Sequence, residues 1–457
     1  MQAKLTELKT LLTEASDLRA AQWVLDWDQS TYMPAGGAPA RARHAALLAR
    51  LAQERATDPR IGHLLDELQP YTESLPDEHP EAALVRVARR DYERNIKVPP
   101  AFMGQVYQLG AETYSLWAKA RPENDFAALQ PYLERILDNS RKLADFFPGY
   151  EHIADPLINY ADYGMKATTL RQLFTELRKE LVPLVQQITT LPPADDSCLH
   201  RQFDKAGQLR IGEELARLVG YDFERGRLDL THHPFTTRFS DGDVRITTRV
   251  NETDLSDCLF SVIHEAGHAM YEQGIRPDFN ATPLGTGTSA GVHESQSRLW
   301  EYRVGHSLEF WEFFYPQLQK TFPGQFNRVP LETFHRAINK VELDRKRRGF
   351  LGLKELAHVV EPFRAGKRTA AQHVIPPVDF TPSLHGREGL YKIPSRPTAC
   401  PLLQPATNQG SPGRPGCSRG GGVPVPPGIR SAPGRHRGRD YLSDASPFTR
   451  RSAQSGR

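Results

Sequence analysis

From Leu5 to Leu12, and on through Ala15, Leu18, Ala21, Val24 and Leu25, apolar residues recur at intervals of three and four, the spacing of one face of an amphipathic helix. The same period returns over Arg41 to Gln53, Glu81 to Tyr92, Phe126 to Phe147, Thr168 to Thr190 and Lys205 to Leu218, so the first half reads as a succession of helices. A further helix is expected from Asn251 to Gly274, opened by Thr253 or Asp254 as cap and closed by Gly274. Pro277, Pro283, Gly285, Gly287 and Gly291 then mark a loop, and the next helix is expected from His293 to about Phe314.

One stretch breaks this period. Between Phe235 and Val250 the pattern alternates at two around Ser240-Asp241-Gly242-Asp243, which predicts a β-hairpin just ahead of the helix that starts near residue 251. An edge strand in that place can pair with an extended peptide through main-chain hydrogen bonds. Helical propensity lingers over Leu351 to Val360, but from about Gly366 Pro, Gly, Ser and Arg dominate, and residues 405–439 are low-complexity and expected to be disordered. The predicted fold is mainly α-helical with a small β-hairpin or sheet, divided into a helical domain over 1–342, a divergent segment over 343–395 and a basic Pro/Gly/Arg-rich tail over 396–457.

Composition narrows the partners. The 457 residues, 39% hydrophobic and 25% charged, suffice for a large core or several fused lobes. No apolar run approaches the ~20 residues of a membrane helix, and Met1-Gln2-Ala3-Lys4 has no apolar signal core, so the expected compartment is the cytoplasm with no membrane partner. Residues 396–457 carry ten Arg against Asp440 and Asp444, a net +8 that leaves −5 for residues 1–395 of a chain whose total is +3. The helical part therefore carries no footprint for nucleic acid. Cys198, Cys258, Cys400 and Cys417 lack the pairing of a structural zinc site, and Cys258 reads as a small core residue.

The chemistry sits at His264-Glu265-Ala266-Gly267-His268. On a helix, this spacing puts two imidazoles one turn apart on one face with a carboxylate beside them, the arrangement of a hydrolytic zinc site. The neighbours Leu259, Val262, Ile263, Ala266, Ala269 and Met270 make the helix largely buried, and two buried imidazoles with no ligand would be costly. A third ligand must come from elsewhere: Glu272, Asp278, His293, Glu294 and Glu301 are candidates. Glu294 is the best placed, 26 residues after His268 in the first turn of a helix that can run antiparallel to the first; Glu301 shares its face and suits an outer position. Glu265 is the candidate base for the attacking water.

His233-Pro234-Phe235, Asp243-Val244-Arg245-Ile246-Thr247, the HExxH and His293-Glu294-Ser295-Gln296 occur in the order and spacing of the carboxypeptidase Taq family, which this chain resembles over about residues 1–342. Val24 to Pro34, Tyr221 to Leu230, Ser297 to Trp300 and Phe310 to Tyr315 support the likeness. The resemblance implies a large helical zinc metallopeptidase with a long substrate groove, a homodimer, and release of single residues with broad specificity from peptides with a free C-terminus. It implies His264, His268 and Glu294 as ligands of Zn2+, with Co2+ a possible substitute, and Glu265 as base. Arg245 is the local candidate to receive the substrate's terminal carboxylate, although it can equally orient Asp243 or a metal ligand; His233 would line the cleft or brace a turn; Asp243 and Thr247 would support the site or the hairpin.

Two downstream motifs of that family, Ile-Arg-x-x-Ala-Asp and Gly-x-x-Gln-Asp-x-His-Trp, are not found. Asn339-Lys340-Val341-Glu342 still resembles the approach to the first, and then Leu343-Asp344-Arg345-Lys346-Arg347-Arg348 departs, a loss that reads as translation in a shifted frame or, alternatively, as a genuine basic tail that binds nucleic acid or an acidic surface. Three functions remain in play: a metallocarboxypeptidase, another zinc amidohydrolase or endopeptidase, and a metal-binding scaffold without turnover.

Overall fold

A computed structural model describes residues 1–341; the divergent segment 343–395 and the basic tail 396–457 lie outside the described residues. Each segment expected to be helical in the first half is helical, its ends within about six residues of the apolar pattern, and further helices that the periodicity did not single out lie between them over 59–72, 100–123 and 155–161. They are α1 (Gln2–Thr31), α2 (Ala38–Ala56), α3 (Pro59–Thr72), α4 (Pro80–Asn95), α5 (Pro100–Glu123), α6 (Phe126–Asp145), α7 (Asp155–Ala161), α8 (Ala167–Ile188) and α9 (Lys205–Val219). A small sheet follows, β1 (Leu228–Leu230), β2 (Thr236–Ser240) and β3 (Asp243–Thr248), and then α10 (Leu255–Gln273), α11 (Ala290–Arg298), α12 (Leu308–Thr321), α13 (Pro323–Phe326) and α14 (Leu331–Ile338). No helix among the described residues is long and apolar enough to cross a membrane.

The apolar residues sort into separate cores. Leu5 and Leu8 of α1 pack with Ile61, Leu64, Leu65 and Leu68 of α3 and Leu84 and Val85 of α4. A larger core gathers α9, α10, α12, α14 and β3 around Trp311, Phe203, Phe326 and Phe334, and Cys258 lies fully buried within it, where burial pushes its thiol up to about 11. That thiol is a packing group rather than a nucleophile.

The hairpin forms as expected, β2 antiparallel to β3 around Asp241-Gly242, with an irregularity between Arg238 and Ser240. A strand not expected from the sequence, β1, pairs parallel with β3 and makes β3 the centre of the order β1-β3-β2. Side chains alternate across a strand. Val244 and Ile246 therefore enter the core of α10, and Thr248 on the same face meets Ser261 at 2.7 Å, whereas Asp243, Arg245 and Thr247 take the opposite face. On that face the Arg245 guanidinium lies 4.3 Å from the ring centroid of Trp27 in α1.

Beyond the hairpin, α10 is capped by Asp254, whose side chain accepts from the Ser256 amide. Leu255, Cys258, Leu259, Val262, Ile263, Ala266 and Ala269 are all fully buried along it. The single helix expected from His293 to Phe314 is instead two. α11 runs into a π-helical turn over Leu299–Val304, the chain breaks at Gly305, and α12 starts with Ser307 as its cap. A Cβ at residue 305 would meet the Glu301 carbonyl at 2.7 Å and Ile263 Cδ1 at 2.8 Å, so the close approach to α10 at this break requires glycine.

Candidate metal centre

α10 and α11 converge on three side chains. One nitrogen each of His264 and His268 and one oxygen of Glu294 all lie within 4.8 Å of one another. The Glu294 Oε2 atom is 3.3 Å from His268 Nε2 and 3.7 Å from His264 Nε2. Of the five candidates for a third ligand, the structure brings Glu294 to the two imidazoles. Asp278 is tied to Arg276 at the surface, and Glu272 pairs with His293 at 2.9 Å.

The approach of the helices depends on Gly267, between the two histidines. A Cβ there would lie 2.7 Å from the Ser297 Cα and 2.9 Å from the Gln296 carbonyl, backbone atoms with little freedom to yield. Gly267→Ala is expected to push α11 away from α10, costing about 1–3 kcal/mol of stability by overpacking. It should weaken metal binding as Glu294 retreats; a thermal melt and a chelator competition measure the two effects side by side.

His264 and Glu294 are held by further polar contacts. His264 Nδ1 is 2.7 Å from Glu301 Oε2, which turns its Nε2 toward Glu294. Glu301 occupies the π-helical turn, where the wider winding sets its carboxylate beside α10, and it also accepts from Arg298 Nη1 at 3.2 Å. Arg298 Nε donates to Glu294 Oε1 at 2.8 Å, and the Ser297 hydroxyl lies 3.3 Å from Glu294 Oε2. Burial alone would raise the Glu294 carboxyl, but the hydrogen bond with His268, the charge of His264 and the Arg298 guanidinium outweigh it and bring the group down to about 2. The position is thus a fixed negative charge. Two imidazole nitrogens and one carboxylate oxygen, converging and braced from behind, suit a borderline-soft divalent ion, so these residues fit a metal.

Glu265 is 6% exposed, and Thr236 of β2 fixes it: the hydroxyl lies 2.7 Å from Glu265 Oε2 and 2.9 Å from its carbonyl oxygen. Neither Thr236 nor Arg298 is among the candidate site residues of the sequence. Arg298 was discoverable, because it stands four residues after Glu294 and three before Glu301 on one helical face. Thr236 reaches Glu265 only through the tertiary fold, and no local signal marks it.

The other predicted residues are placed around this group rather than in it. Arg245 turns to the face of the sheet away from α10, donating through Nε and Nη2 to the Asp243 carboxylate at 2.8 and 2.7 Å while it stacks between Trp27 and Phe239. Thr247 is fully buried; its hydroxyl donates to the Phe235 carbonyl at 2.9 Å and accepts from the Phe235 amide at 2.8 Å, clamping the His233-Pro234-Phe235 turn onto β3. His233 is exposed, with Nδ1 2.7 Å from the Pro234 carbonyl, three residues before Thr236.

Comparison with known proteins shows the family of the chain. Residues 7–348 match the family model described as carboxypeptidase Taq (M32) metallopeptidase, and the chain belongs to that family. It is 41% identical over 327 residues to thermostable carboxypeptidase 1 of Thermus thermophilus, covering 69% of this chain and 64% of that protein. It is 35% identical over 335 residues to carboxypeptidase 1 of Bacillus subtilis, covering 73% and 66%. The crystal structure of the M32 carboxypeptidase from Deinococcus radiodurans superposes with a TM-score of 0.67 at 46% identity, over 75% of this chain and 68% of that one. The chain thus spans slightly under two thirds of the length of the curated relatives it matches.

Proposed function

We propose that this chain is a zinc-dependent metallocarboxypeptidase, releasing single residues with broad specificity from peptides that carry a free C-terminus. The observation that carries the reading is the convergence of His264, His268 and Glu294 within 4.8 Å in a member of the M32 family. His264, His268 and Glu294 would hold Zn2+ or Co2+, and Glu301 would fix the His264 tautomer. When bound, the ion supplies Lewis acidity that polarises water and the scissile carbonyl. Glu265 takes a proton from the attacking water at its carboxylate and returns it to the leaving amine, with Thr236 holding Oε2 in place. Water is kept from the buried side of α10 by the core beneath it.

Of the three roles open to Arg245, receiving a substrate carboxylate, orienting a metal ligand and orienting Asp243, its contacts serve the last, bracing Asp243 and β3 against α1. Asp243 and Thr247 then shape the hairpin, and His233 stands on the exposed lip of the turn that leads to Thr236, a position from which it can line the substrate path. We propose further that the protein is a cytoplasmic homodimer with a long groove for peptides.

A second reading, metal binding without turnover, is favoured by one observation: the two downstream family motifs are not found in this sequence, and they are expected to complete the substrate side of the groove. Mass spectrometry of a peptide incubated with the zinc-loaded chain separates the readings. Stepwise loss of C-terminal residues is expected for the carboxypeptidase; internal fragments would indicate an endopeptidase, and an unchanged peptide with one bound zinc would leave the scaffold reading standing.

A further inference from the structure

The two histidines of the group are oriented by different means. His264 is fixed by a hydrogen bond, Nδ1 to Glu301 at 2.7 Å. His268 Nδ1 is buried and has no hydrogen-bond partner among the described residues. No polar group therefore holds this imidazole from behind, on the side away from Glu294, although its Nε2 must keep facing Glu294 for the group to bind an ion.

What touches the ring is His293. The two imidazoles stack nearly parallel, 4.4 Å between centroids and 17° between planes, while His264 meets the His268 ring edge-on at 4.9 Å. His293 is itself anchored. Its Nε2 lies 2.9 Å from Glu272 Oε1, Tyr271 packs edge-on at 5.6 Å, and the backbone at Gly287 comes so close that a Cβ there would sit 2.8 Å from His293 Cδ2. Glu272 is 5% exposed and stands one turn beyond His268 on α10. Its other oxygen is 3.5 Å from Arg238 Nε of β2, and Arg238 Nη2 donates to Asn280 at 2.8 Å. A buried carboxylate held between a guanidinium and an imidazole is costly to assemble unless it orients something.

We propose that His293, keyed in place by Glu272 and Arg238, is a positioning residue for His268, holding that imidazole by a flat ring contact where a hydrogen bond is lacking. The inference rests on His264, His268 and Glu294 being metal ligands. It predicts that the ring matters more than its nitrogens.

The test compares the full-length wild type with His293→Ala, His293→Phe and Glu272→Gln, reading Zn2+ affinity by chelator competition, the visible spectrum of the Co2+ form, and thermal melting without metal. His293→Ala should lose about 10- to 100-fold in affinity, the range for a lost partner behind a ligand, and shift the Co2+ bands. His293→Phe should restore most of that affinity, because the flat contact survives. Glu272→Gln should fall between the two. Equal affinity in wild type and His293→Ala would overturn the inference while leaving the three ligands intact, and so would a loss in His293→Phe as large as in His293→Ala. A drop in affinity matched by an equal collapse of the metal-free melt in every variant would also overturn it, since that marks a general structural role. A wild-type chain that takes up no ion would instead remove the metal-site reading itself, and this inference with it.

Discussion

Glu294→Ala should strip the protein of its metal ion while most of the fold survives. The carboxylate is the single negative member of the group, 3.3 and 3.7 Å from the two imidazoles, and it is held ionised far below the neutral range. Without it the ion would meet two imidazoles and the Arg298 guanidinium, 5% exposed and now balanced by Glu301 alone. A positive group left near the site repels a divalent ion in a medium less polar than water. The loss of affinity should therefore exceed the about 10- to 100-fold expected when only an outer partner of a ligand is removed. Glu294→Gln serves as the companion variant, since it keeps the shape and a hydrogen-bond acceptor for Arg298 but carries no charge. Elemental analysis and chelator titration of both variants provide the check. Stoichiometric zinc in Glu294→Ala at wild-type affinity would take that residue out of the ligand set.

Much of this arrangement is legible in the sequence because its determinants are local. The HExxH spacing, the Asp254 cap and the apolar run from Leu255 to Ala269 fix both the course of α10 and which face carries the histidines. Glu294 is found because it opens the next helix, and Glu301 because it shares a face with it. The hairpin is found because Asp-Gly between alternating segments has few other conformations.

What escaped the sequence depends on packing between distant segments. β1 is three residues long, too short for an alternation to register, and exists because β3 offers it an edge. The π-helical turn at Leu299–Val304 and the break at Gly305 lie inside a run that reads as continuous helix, and the crowding that excludes a Cβ at residue 305, from the Glu301 carbonyl and Ile263, is visible only in the packed structure. Arg245 illustrates a subtler limit. A strand pattern says that residues 243, 245 and 247 share a face, but only the tertiary arrangement decides that this face meets Trp27 of α1 rather than the helix of the metal group. A cation near a metal motif in sequence can thus stand on the far side of a sheet from it.

Glu265→Gln separates the chemistry from the binding of the ion. Gln has nearly the size of Glu and can still meet the Thr236 hydroxyl that lies 2.7 Å from Oε2, so the helix, His264 and His268 should keep their places and one zinc should remain per chain. What disappears is the basic oxygen that, in the proposed mechanism, takes the proton from water and returns it to the amine. Proton transfer by a positioned carboxylate contributes about 10²- to 10⁴-fold, so C-terminal release followed by mass spectrometry should fall by that factor in kcat, with KM little changed. A fall in KM-dependent binding with kcat preserved would place Glu265 in substrate contact instead. Loss of zinc together with activity would show that the carboxylate shapes the metal group rather than moving a proton, and Thr236→Val offers an independent probe of the same point. Removing the hydroxyl frees Oε2 without altering its charge, and the expected outcome is a smaller loss of kcat than in Glu265→Gln at full zinc content.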